Sequence, residues 1–378
     1  MRGGARGGGG DRGGFSGRLV PAPAPLHVFR HAPAKLNLTL AILGRRDDGY
    51  HSLHSIMVPL ALADAMTVSA APRAQADSLR VVGIPVTTAP ENLILRAIAA
   101  TRAAVMAGHT GPIDAGAALA EVPALAFRLT KTIPVAAGLG GGSSDAAASI
   151  DAALAAWGAT MPRHVAREVA ASLGSDVPFF LAGGAALVTG RGEFVEVLPD
   201  LVGEPPAVLL VTPRLAVSTA AVFEAYDRGA RGSRRSTSHD VSRALAEEMR
   251  AGITTEALLA RAVDLADSND LLTASLEVVP GLGDFRQVLG ALVARPVCQS
   301  GSGPTSWVLF DSLASARKAA RFVRLAIADG RLPKIGDGEP FVDATTIHGR
   351  GGATGAATTQ APAVHNAFSS DTVKPEGR

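Results

Sequence analysis

Four glycines stand in five positions at Gly138-Leu139-Gly140-Gly141-Gly142, and Ser143-Ser144-Asp145 follows at once. Before them, residues 127–133 alternate apolar and polar side chains, the pattern of a half-buried strand. After them, Ile150, Leu154 and Trp157 recur at i, i+4 and i+7, as on the buried face of a helix. The order is therefore strand, glycine loop, helix, with Ser143 or Ser144 expected to cap the helix. Glycines let the backbone approach a ligand and turn its N–H groups inward. A helix N-terminus adds free donors and a partial positive charge. Together they make an anion site, most naturally one for phosphate.

Two familiar phosphate loops do not fit. A Walker A loop requires a lysine after its glycines, and none follows here. A dinucleotide fingerprint requires G-x-G-x-x-G; Gly138 and Gly140 fit, but Ser143 takes the place of the third glycine. The plainer alternative is a flexible turn before an alanine-rich helix. The adjoining hydroxyls and the strand-to-helix setting favour phosphate.

The chain has 378 residues, 47% of them apolar, enough for one large or two ordinary domains with a full core. A net charge of +2 gives no reason to expect nucleic acid as a partner. No apolar run of about 18 residues exists, so no membrane span is expected. Cys298, the single cysteine, has no internal partner, which suits a reducing cytoplasm.

Three further segments carry chemistry-bearing residues. In residues 35–42 the apolar side chains alternate strictly, which puts Lys35, Asn37 and Thr39 on one face of a strand. Arg46-Asp47-Asp48-Gly49-Tyr50-His51 is a polar turn holding an aromatic pair, able to stack on a base and bond its edge. Asp176 in Gly174-Ser175-Asp176-Val177-Pro178-Phe179-Phe180 follows a helix spanning about 162–172, where aspartate commonly forms turns.

Pro134-Val135-Ala136-Ala137-Gly138-Leu139-Gly140-Gly141-Gly142-Ser143-Ser144 resembles the second motif of the GHMP kinases, P-x-x-x-G-L-G-[GS]-[GS]-S-S. Residues 32–38 resemble the first motif, and Gln299-Ser300-Gly301-Ser302-Gly303-Pro304-Thr305 the third, with Gln299 where an apolar residue is commoner. The segment 46–51 is similar to the R-x-D-G-Y-H of the branch acting on a diphosphocytidyl alcohol. The resemblance runs from about residue 30 to about 349. It implies an α+β, two-domain fold: a ribosomal protein S5 domain 2-like domain over 28–200 that binds ATP, and a ferredoxin-like α/β-sandwich over 201–348. It implies ATP along residues 134–144, Mg²⁺ facing Ser143 or Ser144, Lys35 and Asp176 as catalytic residues, and Asp176 as general base. Asn37, Tyr50, His51, Gly301, Ser302 and Gly303 are the implied substrate contacts. The implied substrate is a small molecule with a cytidine diphosphate moiety, phosphorylated on its 2-hydroxyl in the non-mevalonate route to isoprenoids.

Elsewhere, Asn92 is read as the N-cap of a helix carrying Ile94, Ile98, Thr101 and Val105 on one side. Residues 107–121 read as a linker or loop, 185–189 and 194–198 as a hairpin, 207–211 as a buried strand and 228–242 as a surface loop. Helices are expected over 255–266, 282–294 and 314–327, and a strand over 344–347. Residues 1–27 and 349–378 are expected to be disordered. The rivals are a GHMP kinase of other specificity (homoserine or mevalonate type), a non-catalytic nucleotide-binding sensor, and an RNA-binding protein resting on the Gly/Arg-rich arm.

Overall fold

The computed structural model describes residues 27–71, 76–108, 111–112, 122–229 and 237–349. The expectations for residues 1–26, for 350–378 and for most of 107–121 fall outside that set. The elements are β1 (His27–Arg45), β2 (His51–Ala70), β3 (Ser78–Gly83), α1 (Leu93–Met106), β4 (Gly111–Pro112), β5 (Leu125–Lys131) and α2 (Gly141–Trp157). Then come β6 (Ala159–Thr160), α3 (Arg163–Leu173), α4 (Val177–Ala182), β7 (Ala186–Gly190), β8 (Phe194–Val197) and β9 (Ala207–Thr212). The chain continues through α5 (Thr219–Gly229), α6 (Thr237–Ala251), α7 (Thr255–Ala260), α8 (Ala262–Ala266), α9 (Leu272–Val278) and α10 (Leu282–Val293). It closes with β10 (Cys298–Gln299), β11 (Ser306–Phe310), α11 (Leu313–Ala328) and β12 (Phe341–Thr346).

Among the described residues, one six-stranded sheet runs β3-β5-β2-β7-β8, with β1 paired to β2. A second, four-stranded sheet runs β10-β11-β9-β12. This is the α+β architecture expected, with the second sheet starting beyond the loop at 199–206. In β9 every residue is buried. Val208 and Leu210 point into one core with Trp307 and Leu309, while Ala207, Leu209 and Val211 point into another with Val308 and Phe310. Period-2 alternation between two covered faces explains the unbroken apolar run.

The first of those cores also takes Leu36, Leu38, Ile56 and Val58 from β1 and β2, so it joins the two sheets. Lys35, Asn37 and Thr39 are buried as well. The polar face of this strand is thus no solvent face. Register shifts on either side of Lys35 and Asn37 mark bulges that bend β1 there.

Two expectations are corrected. Neither Ser143 nor Ser144 caps α2; its N-cap is Gly140 in the left-handed region, φ 68°, with no side-chain cap. Gly141 and Gly142 are already helical, so the serines lie in the first turn. Residues 237–242 belong to α6, not to a loop. Its buried face is Ser238, Ser242, Leu245, Ala246 and Met249. Two serines on that face hide the helical stripe from a hydrophobicity reading. Asn92 does cap α1, accepting from the Ile94 N–H at 2.9 Å.

Candidate active site

A cleft of about 940 Å³ brings together Lys35, Asn37, Tyr50, His51, Asp176 and most of the glycine loop. The loop takes its shape from three left-handed residues, Ala136 (φ 52°), Gly138 (φ 79°) and Gly140 (φ 68°). A left-handed alanine costs about 1–2 kcal/mol, strain of the kind that concentrates at functional sites. A Cβ on Gly138 would lie 2.2 Å from the Ser300 carbonyl oxygen, and one on Gly140 would lie 2.9 Å from both Lys35 Cγ and the Phe180 ring. A Cβ on Gly142 would meet nothing within 4 Å, although Gly142 lines the cleft. Gly141, Gly142 and Ser143, in the first turn of a 17-residue helix whose first N–H groups have no intrahelical acceptor, all line that space.

The loop is held from both sides. Ser300 Oγ donates to the Gly138 carbonyl at 2.9 Å and Thr305 Oγ1 to the Ala137 carbonyl at 2.6 Å, so the 299–305 segment packs beside it. Asn269 Nδ2 donates to the Gln299 and Gly301 carbonyls, and Gln299 Nε2 to Ser275 Oγ, so both residues brace the 299–305 segment. On the other side, Asp64 Oδ1 accepts from the Ile133 N–H at 2.9 Å, and Lys131 Nζ bonds both Asp64 and Asp145, the latter at 2.6 Å. Asp145 is held up to about 7, first by burial and then by the Asp64 charge; one ammonium shared by two carboxylates offsets only part of this.

Lys35 Nζ lies 3.6 Å from Asp176 Oδ2 and donates to Asn37 Oδ1 at 2.6 Å. The Lys35 ammonium is buried and the Asp176 carboxylate is partly open to the cleft. Asp176 occupies the N-cap place of α4 but caps nothing with its side chain. A Cβ on Gly301 (φ 56°) would come within 3.4 Å of Asn37 Oδ1 and 3.6 Å of Lys35 Nζ, so that glycine leaves room over the pair.

At the other end, Tyr50 is exposed beneath the Arg191 guanidinium, 5.3 Å from ring centroid to Cζ. His51 is buried, stacked on Phe223 at 4.9 Å, and its Nε2 lies 2.7 Å from Asp227 Oδ1. A carboxylate only accepts, so Nε2 carries the hydrogen. Phe223 and Asp227 come from α5 and escape a sequence reading, as does the Asp64–Lys131–Asp145 cluster. Three expected contacts do not line the cleft. Leu139 is buried in the core shared by the sheets. Gly303 sits beside Gln299. Ser144 Oγ is buried with no partner.

A glycine loop spread across a buried lysine and a partly open aspartate, between an S5-like sheet and a second α/β layer, is the arrangement of the GHMP kinases. Residues 92–184 match the family described as GHMP kinases N terminal domain. Over 297 residues the sequence is 38% identical to the 4-diphosphocytidyl-2-C-methyl-D-erythritol kinase of Paramagnetospirillum magneticum, covering 76% of this chain and 91% of that one. Over 296 residues it is 37% identical to the same enzyme of Pelotomaculum thermopropionicum, covering 78% and 93%. The chain belongs to the 4-diphosphocytidyl-2-C-methyl-D-erythritol kinase family. A crystal structure of 4-(cytidine 5'-diphospho)-2C-methyl-D-erythritol kinase superposes with a TM-score of 0.59 at 30% identity, covering 84% of this chain and 99% of that one. Homoserine kinase from Cytophaga hutchinsonii, 18% identical with a TM-score of 0.57 over 86% and 96% of the chains, shares the fold.

Proposed function

We propose that this chain transfers the γ-phosphoryl group of ATP to the 2-hydroxyl of 4-diphosphocytidyl-2-C-methyl-D-erythritol, giving the 2-phosphate and ADP, in the non-mevalonate route to isopentenyl diphosphate. The observation that carries the reading is one cleft lined by two separated groups: Lys35 and Asp176, and, further along the β1–β2 ladder where His51 pairs with Arg45, Tyr50 and His51. A substrate with a base at one end and an alcohol at the other fits that layout. Tyr50 and Phe223 supply ring faces, and His51 supplies an edge. With Nε2 donating to Asp227, Nδ1 is the ring nitrogen left to accept, the complement of the cytosine 4-amino group.

Phosphoryl transfer needs positioning and charge neutralisation more than covalent chemistry from the protein. Asp176 accepts the proton of the 2-hydroxyl as that oxygen bonds the γ-phosphorus and the bond to the ADP oxygen breaks. Lys35, held by Asn37 and 3.6 Å from Asp176, offsets phosphate charge beside the proton acceptor. The N–H groups at the start of α2 receive the nucleotide phosphates. Mg²⁺, a hard cation that takes few protein oxygens and keeps waters and phosphate oxygens, fits a cleft whose lining includes a hydroxyl and carboxylates. Ser143 lines the cleft and Ser144 does not, so Ser143 is the side chain that would hold it. Among the described residues no cluster of His, Cys, Asp or Glu offers another site, and no helix is long and apolar enough to cross a membrane. The lone buried cysteine suits the cytoplasm.

The test is ADP formation with a panel of alcohols: the diphosphocytidyl alcohol, homoserine, mevalonate and galactose. Turnover of the first alone is expected. Turnover of another member in its place would assign a different GHMP specificity, and ATP binding without any turnover would favour a sensor.

A further inference from the structure

Lys35 is held by a chain of hydrogen bonds whose direction is set at Ser55, which does not line the cleft. Its ammonium donates to Asn37 Oδ1 at 2.6 Å. Asn37 Nδ2 donates to Ser55 Oγ at 2.8 Å, and Ser55 Oγ donates to the Thr39 carbonyl at 2.6 Å. A backbone carbonyl can only accept, so the Ser55 hydroxyl hydrogen is committed to it. The Ser55 oxygen must then accept from Asn37, which turns the amide nitrogen toward Ser55 and the amide oxygen toward Lys35. The reverse orientation would set two donors, amide and ammonium, against each other. Ser55 is fully buried in β2, between Leu40 of β1 and Val188 of β7. The register shift between Asn37 and Thr39 marks the bulge at the Thr39 carbonyl that Ser55 bonds.

We propose that Ser55 is a positioning residue for the transfer reaction: its hydroxyl locks the Asn37 amide in the orientation that holds the Lys35 ammonium beside Asp176. The proposal rests on the kinase function stated above. It assigns Ser55 no contact with either substrate, so its effect belongs in kcat.

Threonine and valine have the same shape and differ in the hydroxyl, so Ser55→Thr and Ser55→Val separate the hydrogen bond from volume; Ser55→Ala covers the case in which a branched side chain does not fit. With phosphorylation of the diphosphocytidyl alcohol measured in the parent, Ser55→Val and Ser55→Ala are expected to lower kcat about tenfold, the worth of one hydrogen bond to a charged group. The KM for ATP should stay at the parent's, and Ser55→Thr should restore kcat. In an Asn37→Ala background, Ser55→Val should cost nothing further. Parental kcat in Ser55→Val and Ser55→Ala, a loss carried in the KM for ATP alone, or losses that multiply with Asn37→Ala would overturn the proposal. Crystal structures decide it independently of turnover. Asn37 should swing from Lys35 in Ser55→Ala and stay in Ser55→Thr; an unmoved Asn37 in Ser55→Ala overturns the lock. An inactive parent would instead overturn the assigned function, with the Asn37 position still deciding the lock.

Discussion

An aspartate at a helix N-cap ordinarily accepts from the helix's own N–H groups, which is worth about 1 kcal/mol. Asp176 forgoes that bond and faces Lys35 instead. Asp176→Asn keeps the shape and removes the proton acceptor, so kcat should fall about 10²–10⁴-fold while ATP still binds. Lys35→Met should act in the same direction, and the double variant should be little worse than the worse single one, because residues acting as a unit are not additive. Losses that multiply would mean the two act independently, and near-parental turnover of Asp176→Asn would exclude it as the base. Tyr50→Ala should raise KM for the cytidine substrate by about 10–100-fold, the worth of one stacked base. An unchanged KM would remove that ring from the site. Lys35, Asn37, Tyr50, His51 and Asp176 are legible in the sequence because each sits in a short motif of contiguous residues. Asp227 is not: it reaches His51 across 176 positions, from a helix with no local mark.

The glycine loop separates two reasons for having no side chain. Gly138 and Gly140 combine positive φ with close neighbours, so Gly138→Ala should lower the melting temperature and ATP affinity together. Gly142 is helical and its Cβ would be free of protein atoms. Alanine there is favoured by about 0.5–1 kcal/mol over glycine, so Gly142→Ala should hold or raise stability. If the phosphates lie against this turn, the added methyl displaces one charge-assisted hydrogen bond and weakens ATP binding about tenfold. Undiminished ATP affinity in Gly142→Ala would move the phosphates elsewhere. The strand–loop–helix order was readable because periodicity changes from 2 to 3.6 across the glycines. The cap was misplaced because three glycines let the helix begin before the serines. Helix α6 was missed because Ser238 and Ser242 face the core.

One core takes side chains from both sheets, so the cleft between them depends on cooperative packing. Trp307→Ala empties its centre and should cost about 3–5 kcal/mol in denaturant unfolding. At the same junction His54 Nδ1 lies 2.8 Å from Ser242 Oγ of α6. Burial, then the charges of His239, Arg243 and Arg250, push its pKa down to about 4, with Glu196 opposing. The unfolded chain therefore binds this proton more readily, and the stability His54 contributes above pH 6.5 is lost as pH falls toward 4. The urea midpoint should drop between pH 7 and pH 4.5 more in the parent than in His54→Gln; equal drops would contradict this. Such contacts were beyond the sequence, since burial at a junction of two layers leaves no periodic trace in either partner. What the whole molecule does with its cleft is tested most directly by the phosphorus spectrum of its product. After incubation with ATP and 4-diphosphocytidyl-2-C-methyl-D-erythritol, one new phosphomonoester on the 2-oxygen is predicted, equimolar with ADP and with the cytidine diphosphate intact. ADP formed without that monoester, or phosphate on a different oxygen, would contradict the account.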